Sequence, residues 1–225
     1  STPTMAKEKA PGWLVMMEMN MRNMANLAPG LLSFLLAAIL SVSMSAARAE
    51  STENPRVLMK TTDGDITIEL FADKSPITVE NFLRYVDDGH YDGTVFHRVI
   101  SNFMIQGGGF DAELKEKPTR DPIVNESKNK LHNTRGTLAM ARTSDPDSAA
   151  AQFFINQRSN LRLDWAGGKD GYTVFGEVID GMQIVDIISL ADTGTAQAQT
   201  ARGPNIFQDV PVQPIVVLSV TRLAP

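Results

Sequence analysis

From residue 56 onward the apolar residues come in short alternating runs. Runs of that length and period bury themselves as strands, not helices. Val57-Leu58-Met59-Lys60-Thr61 and Ile66-Thr67-Ile68-Glu69-Leu70 flank Thr62-Asp63-Gly64. Asp-Gly between two such runs signals a hairpin, because its turn needs a residue that tolerates positive φ. Residues 94–100, with Phe103-Met104-Ile105-Gln106 as hairpin partner, read as strands, as do 136–141, 152–156 and 173–178. Residues 215–223 read as a closing strand, with Pro214 at its edge. Two segments have helical character. Ser75-Pro76 opens the first, Val79, Phe82, Leu83 and Val86 form its apolar stripe, and Gly89 stops it. Residues 181–190 form the second, apolar on most faces. The stretches 111–134, 142–149, 157–171 and 191–213 read as loops. Many short strands, two helices and no βαβ rhythm predict a mainly β domain, a closed antiparallel barrel in preference to a doubly wound sheet.

The first 49 residues obey a different logic. Leu31-Leu32-Ser33-Phe34-Leu35-Leu36-Ala37-Ala38-Ile39-Leu40 is an apolar run about half the ~20 residues that span a bilayer. Arg22 precedes it, and Ala47-Arg48-Ala49 follows, then Glu50. A weakly basic start, a short apolar core and a small-x-small exit predict a secretory signal peptide, starting at Met5, Met21 or Met24 and cleaved before Glu50. A buried amphipathic helix or an uncleaved anchor is the alternative. Residues 50–55 read as a linker and 56–225 as the folded domain. Residues 1–49 carry four basic and two acidic side chains, so the chain's net charge of −5 becomes −7 for 50–225.

That acidic balance excludes a general nucleic-acid binder, which needs a basic face for the phosphates. With no cysteine there is no disulfide, thiolate metal site or thiol nucleophile. His90, His97 and His132 match no metal-binding spacing. No Gly-x-Ser-x-Gly, Gly-Lys-Ser/Thr or His-Glu-x-x-His occurs. Gly107-Gly108-Gly109 precedes no helix and reads as a turn or bulge, not a phosphate cradle. His97, in an alternating run, reads as a structural histidine. One cluster is unusual: Arg98, Phe103, Met104 and Gln106 lie across a tight hairpin, where strand alternation lets Arg98, Phe103 and Gln106 meet on the barrel surface. Taken alone, Phe103 and Met104 read as core packing, since apolar pairs are usually core, and Arg98 as a solvated surface charge.

The segment Phe96-His97-Arg98-Val99-Ile100-Ser101-Asn102-Phe103-Met104-Ile105-Gln106-Gly107-Gly108 resembles the signature of the cyclophilins, a family of peptidyl-prolyl cis-trans isomerases. Three more blocks resemble that family in the same order: residues 136–142, residues 151–156, and Val174-Phe175-Gly176-Glu177-Val178 with Gly181-Met182. The resemblance spans about 57–224 and, with the signal peptide and short loops, is greatest to periplasmic bacterial members. It implies an eight-stranded barrel capped by two helices. It implies a catalytic Arg98, a proline pocket of Phe103, Met104, Phe154 and Leu163, and peptide-backbone contacts from Gln106 and Gln152. Ala141 and Arg142 would form part of the groove and Tyr172 one of its walls. No cofactor or metal is implied, and the expected form is a monomer without a stable membrane anchor. The expected partners are proline-containing peptides and unfolded exported proteins.

The sequence departs from the animal pattern at three positions. Arg162 stands where a tryptophan is usual, which implies weakened cyclosporin binding, with Trp165 a candidate substitute. Tyr172 stands in place of histidine, and Arg142 in place of asparagine, where its charge would favour acidic substrates. Rotation about X–Pro needs no proton transfer or covalent intermediate, which fits a chain without a thiol or an acid/base pair. The expected function is therefore X–Pro isomerisation in exported proteins, accelerating their folding. The alternative is a periplasmic proline-recognising chaperone that uses the same groove with little turnover.

Overall fold

The computed structural model describes residues 54–224. The expected signal peptide lies outside the described residues. Of the expected linker, Asn54 and Pro55 are described and are tied to the next hairpin: the Pro55 carbonyl accepts the Leu70 N–H at 2.8 Å and Asn54 Nδ2 donates to Glu69 at 3.1 Å.

β1 (Arg56–Thr61) and β2 (Gly64–Leu70) form the hairpin signalled by Asp-Gly, pairing Thr61 with Gly64 around a two-residue turn. Thr61 Oγ1 locks the turn by donating to the Gly64 carbonyl at 2.7 Å and accepting the Asp63 and Gly64 N–H groups. Ile66, Ile68 and Leu70 alternate into the core. α1 (Pro76–Asp87) follows, with Phe82 and Val79 fully covered. Its N-terminal N–H groups need acceptors, and a distant loop supplies them: the Glu126 carboxylate accepts the Ile77 and Thr78 N–H groups. A carboxylate there also complements the positive end of the helix dipole.

The remaining elements are β3 (Arg98–Ile100), β4 (Met104–Gly107), β5 (Thr137–Met140), β6 (Phe153–Asn156), β7 (Val174–Asp180), α2 (Met182–Ser189), β8 (Thr193–Thr200), β9 (Gly203–Pro211) and β10 (Val217–Arg222). Eight strands make one antiparallel sheet in the order β10-β1-β2-β7-β5-β6-β4-β3. Strand number and the two helices agree with expectation, but a closed barrel does not. β10 and β3 remain the sheet's edges, joined only by an isolated Val95–Val216 bridge and single hydrogen bonds. The reason lies in residues 94–97, expected as strand. The Val95 N–H turns to the Phe110 carbonyl while the next one, from Phe96, turns to Ile215. Pairing is thus divided between two neighbours and builds a ladder with neither.

β4, β5 and β6 are buried on both faces. Ile105, Leu138, Met140, Phe153 and Ile155 point into the main core beneath α1. Met104, Ala139 and Phe154 point the other way and form a second cluster outside the sheet. This period-2 division puts an apolar floor on the outer surface.

The stretch 191–213, expected as loop, contains the β8–β9 hairpin, a separate two-stranded sheet. Its turn repeats the first hairpin's device, Thr200 Oγ1 donating to the Gly203 carbonyl at 2.7 Å. Ala198 and Phe207 pin it against Val95 and Phe110.

Candidate active site

A single lateral row of paired residues crosses the outer face of the sheet. Arg98 pairs with Gln106, Gln106 with Phe154, Phe154 with Ala139, and Ala139 with Val174. Directly opposed residues in antiparallel strands present their side chains on the same face. The ladder therefore fixes a guanidinium, an amide and an apolar floor in that order. Phe103 lies in the β3–β4 turn, where Asn102 takes a left-handed φ of 55° that Asn tolerates.

A groove of about 670 Å³ runs over this row. All ten residues singled out from the sequence line it: Arg98, Phe103, Met104, Gln106, Ala141, Arg142, Gln152, Phe154, Leu163 and Tyr172. Met104 and Phe154 make its buried floor, with Phe103, Leu163 and Tyr172 packed around them. Phe154 and Tyr172 meet edge to face at 5.6 Å. Gln106 Nε2 donates to Gln152 Oε1 at 3.1 Å, so the two amides are aligned before any peptide arrives. Gly109 makes room for this pair, since a Cβ there would stand 2.5 Å from Gln152 Cγ. The Ala141 N–H donates to the Gln152 carbonyl at 3.0 Å.

Arg142 lies over the Tyr172 ring, its Cζ 4.6 Å from the centroid, and donates to the Gly171, Asp170 and Thr143 carbonyls. Arg162 Cζ sits 4.7 Å from the centroid of Phe103. Trp165, considered as a substitute for the missing tryptophan, is exposed and does not line the groove.

The turn Leu161–Leu163, a single 3₁₀ turn, is held from below by a buried polar network. Asn156 Nδ2 donates to Asn133 Oδ1 and Thr137 Oγ1, and its Oδ1 accepts from Asn160. Asn160 Nδ2 also donates to the Phe103 carbonyl at 2.9 Å. Asp164 accepts from Asn133 N, Asn133 Nδ2 and His132 Nδ1. Burial raises the Asp164 carboxyl, but these donors outweigh it and hold the group below the ordinary carboxylate range.

The wall that sequence reasoning missed is the β8–β9 hairpin. Arg202, Asn205, Phe207, Gln208 and Asp209 face the groove from it, and Asp209 Oδ2 lies 3.8 Å from Arg98 Nε. Only the alternation Ala196-Gln197-Ala198-Gln199 marked this segment, and in small and polar residues it gives no apolar period to read. His97, read as structural, is buried against Phe110 and Phe207. Burial pushes its imidazole down to about 4, so it is neutral at pH 7.

The chemistry available is a guanidinium and two amides beside an apolar pocket. Among the described residues no group of three or more His, Cys, Asp or Glu could hold a metal ion. Residues 56–222 match the family model described as cyclophilin type peptidyl-prolyl cis-trans isomerase/CLD. The chain belongs to the cyclophilin family. A peptidyl-prolyl cis-trans isomerase of Acinetobacter baylyi is 52% identical over 172 residues, covering 76% of this chain and 87% of the relative. Peptidyl-prolyl cis-trans isomerase B of Escherichia coli is 51% identical over 168 residues, covering 73% and 98%. The crystal structure of a Cryptosporidium parvum cyclophilin type isomerase, in the presence of the dipeptide Ala-Pro, superposes with a TM-score of 0.61 at 26% identity, covering 76% of this chain and 99% of that one. This cyclophilin is a peptidyl-prolyl cis-trans isomerase, and its groove lies on the outer face of the sheet, not inside it.

Proposed function

We propose that this cyclophilin rotates X–Pro bonds of exported proteins in the groove, with Arg98 as the catalytic group. The observation that carries the reading is the lateral row, which sets the Arg98 guanidinium beside Gln106 and the Phe154 floor. The barrier to rotation is ~18–20 kcal/mol because amide resonance must be broken. Met104, Phe154, Leu163 and Phe103 hold the proline ring. Gln106 and Gln152 fix the peptide backbone, and Ala141 offers a rim against which it lies. Arg98 donates toward the prolyl nitrogen as it pyramidalises, stabilising the non-conjugated form in a partly dry site. Each tenfold in rate needs about 1.4 kcal/mol. One charge-assisted contact supplies about one to two decades and positioning the rest.

The export part of the reading rests on the apolar run 31–40 and Ala47-Arg48-Ala49. Peptides containing proline and unfolded exported chains are then the substrates, in the periplasm. A protease-free isomerisation assay tests the site: Arg98→Ala retains the fold and loses most turnover, whereas wild-type turnover in that variant rules Arg98 out. Mass spectrometry of the protein from a bacterial host tests export: a chain beginning at Glu50 supports it, and an uncleaved N-terminus refutes it.

A further inference from the structure

Ten arginines lie among the described residues, and six of them pair with a carboxylate: Arg56, Arg84, Arg98, Arg120, Arg135 and Arg222. Among the described residues, the other four have no carboxylate within ion-pair distance. Three of those four, Arg142, Arg162 and Arg202, line the groove and the cavity that adjoins it. That second cavity, of about 740 Å³, shares Arg142, Leu163 and Tyr172 with the groove and adds Arg162 and Lys169. In a domain whose residues 50–225 carry a net charge of −7, cations without partners around one site are a local reversal of sign.

The arrangement is held in place. Arg162 and Arg142 lie over the Phe103 and Tyr172 rings, where the ring quadrupole attracts a guanidinium. Arg142 is further fixed by donating to the Gly171, Asp170 and Thr143 carbonyls, so that its positive charge stays at the rim without a carboxylate partner. The acids lining these cavities are largely engaged. Glu116 accepts the Ala201 N–H, Asp209 faces Arg98, and Asp164 is taken by Asn133 and His132. Asp170 is the one lining carboxylate without such a partner among the described residues. Cations therefore outnumber the carboxylates free to neutralise them: Arg202 lines the groove from the β8–β9 wall, and Arg162, over the ring of the groove residue Phe103, lines the adjoining cavity.

We propose that the groove selects substrates with a carboxylate side chain next to the proline or one residue beyond it, Arg162 and Arg202 supplying the contacts. This deepens the isomerase reading and rests on it. Exposed rim charges act chiefly on association and on KM, and salt screens them.

The test uses the full-length protein and capped peptides Ala-X-Pro-Y-Ala in which X or Y is Glu, Gln or Lys. Exchange NMR reads turnover, and titration by NMR reads binding. At low ionic strength Glu peptides exceed their Gln counterparts in kcat/KM by about fivefold, through KM, as expected for exposed ion pairs. Lys peptides fall below Gln, and roughly 0.5 M salt removes the differences. In Arg162→Gln/Arg202→Gln the Glu-to-Gln ratio falls to near one. The ratio compares two peptides on one sample, so a partly unfolded variant does not distort it. A wild-type ratio of one, or a ratio that survives the double substitution, overturns the proposal. If no peptide is turned over, the isomerase-site reading fails instead, while the binding ratio still decides the selectivity.

Discussion

Asp209 presents its carboxylate to Arg98, Oδ2 lying 3.8 Å from Nε, and does so from a left-handed backbone with φ of 61°. A non-glycine residue in that region costs about 1 kcal/mol or more and persists where the surrounding structure demands it. The approach is on Nε, and Arg98 and Asp209 both line the groove. Both side chains are more than 40% exposed, so the pair is worth about 0.2–1 kcal/mol.

Asp209→Asn keeps the size and the tolerance for left-handed φ but removes the charge. It is expected to leave thermal stability within about 0.5 kcal/mol and to lower kcat by about two- to fivefold with KM unchanged. Asp209→Glu should recover part of the loss. A kcat identical to wild type in Asp209→Asn would show that Arg98 needs no orienting partner. Steady-state kinetics beside a melting curve decides it.

His97 makes stability depend on pH. Its imidazole is held near 4 by burial, whereas in the unfolded chain it titrates near the usual ~6.5. Between those values the unfolded state binds more protons, so stability is full above about pH 6.5 and falls as pH drops toward 4. The loss is on the order of 3 kcal/mol. His90, shifted the same way chiefly by burial, adds to it. His97→Phe preserves the contacts with Phe110 and Phe207 and gives up no hydrogen bond at Nδ1, which has no partner. Urea unfolding at pH 7 and pH 4.5 should show a smaller difference for this variant than for wild type. An equal difference would assign the acid sensitivity elsewhere.

At Gly181 the chain turns from β7 into α2 with φ of +87°, and an added Cβ would stand 2.3 Å from the Asp65 carbonyl oxygen. That contact, like the next at 2.9 Å to Ile66 Cα, is with backbone, which cannot step aside as a flexible side chain would. Gly181→Ala is therefore expected to cost about 3 kcal/mol or more. For a domain of this size that lowers Tm by about 6–12 °C. Differential scanning calorimetry against wild type checks it, and a shift below about 2 °C would mean that β2 and α2 part easily.

The site was legible in the sequence where chemistry and strand period coincide. Alternation brought Arg98, Phe103 and Gln106 together on one surface; the ladder pairs Arg98 with Gln106, while Phe103 reaches the groove from the turn between their strands. What alternation could not show was the lateral register that sets Phe154 beside Gln106 from a strand almost fifty residues away. Register comes from long-range pairing and leaves no local trace. The β8–β9 wall escaped because β8 carries only small and polar residues, with Ala198 alone fully buried on it, and on β9 the apolar Ile206 and Phe207 are adjacent and give no alternation. The barrel seam escaped because period 2 predicts that residues 94–97 are extended but not which neighbour each N–H will choose.

Asn156 joins the fold to the pocket, and its replacement should separate binding from global loss. Fully buried, it donates to Asn133 Oδ1 at 3.2 Å and Thr137 Oγ1 at 3.0 Å and accepts from Asn160 at 2.8 Å. Truncation to Ala leaves those partners short of bonds in a dry site, at about 1–3 kcal/mol for each group left unsatisfied. A total loss of about 3 kcal/mol lowers Tm by about 6–12 °C. The effect reaches the groove because Asn160 also holds the Phe103 carbonyl, and because Leu163 belongs to the turn that follows Asn160. With Asn160 freed on one side, Phe103 and Leu163 lose a fixed spacing and KM for proline peptides should rise, while the Arg98–Gln106 pairing on β3 and β4 is untouched. Asn156→Asp, which keeps the acceptor but not the donors, should rescue the Asn160 contact and hence KM more than stability. A variant that lost stability with KM unchanged would confine the network to folding and detach it from the pocket.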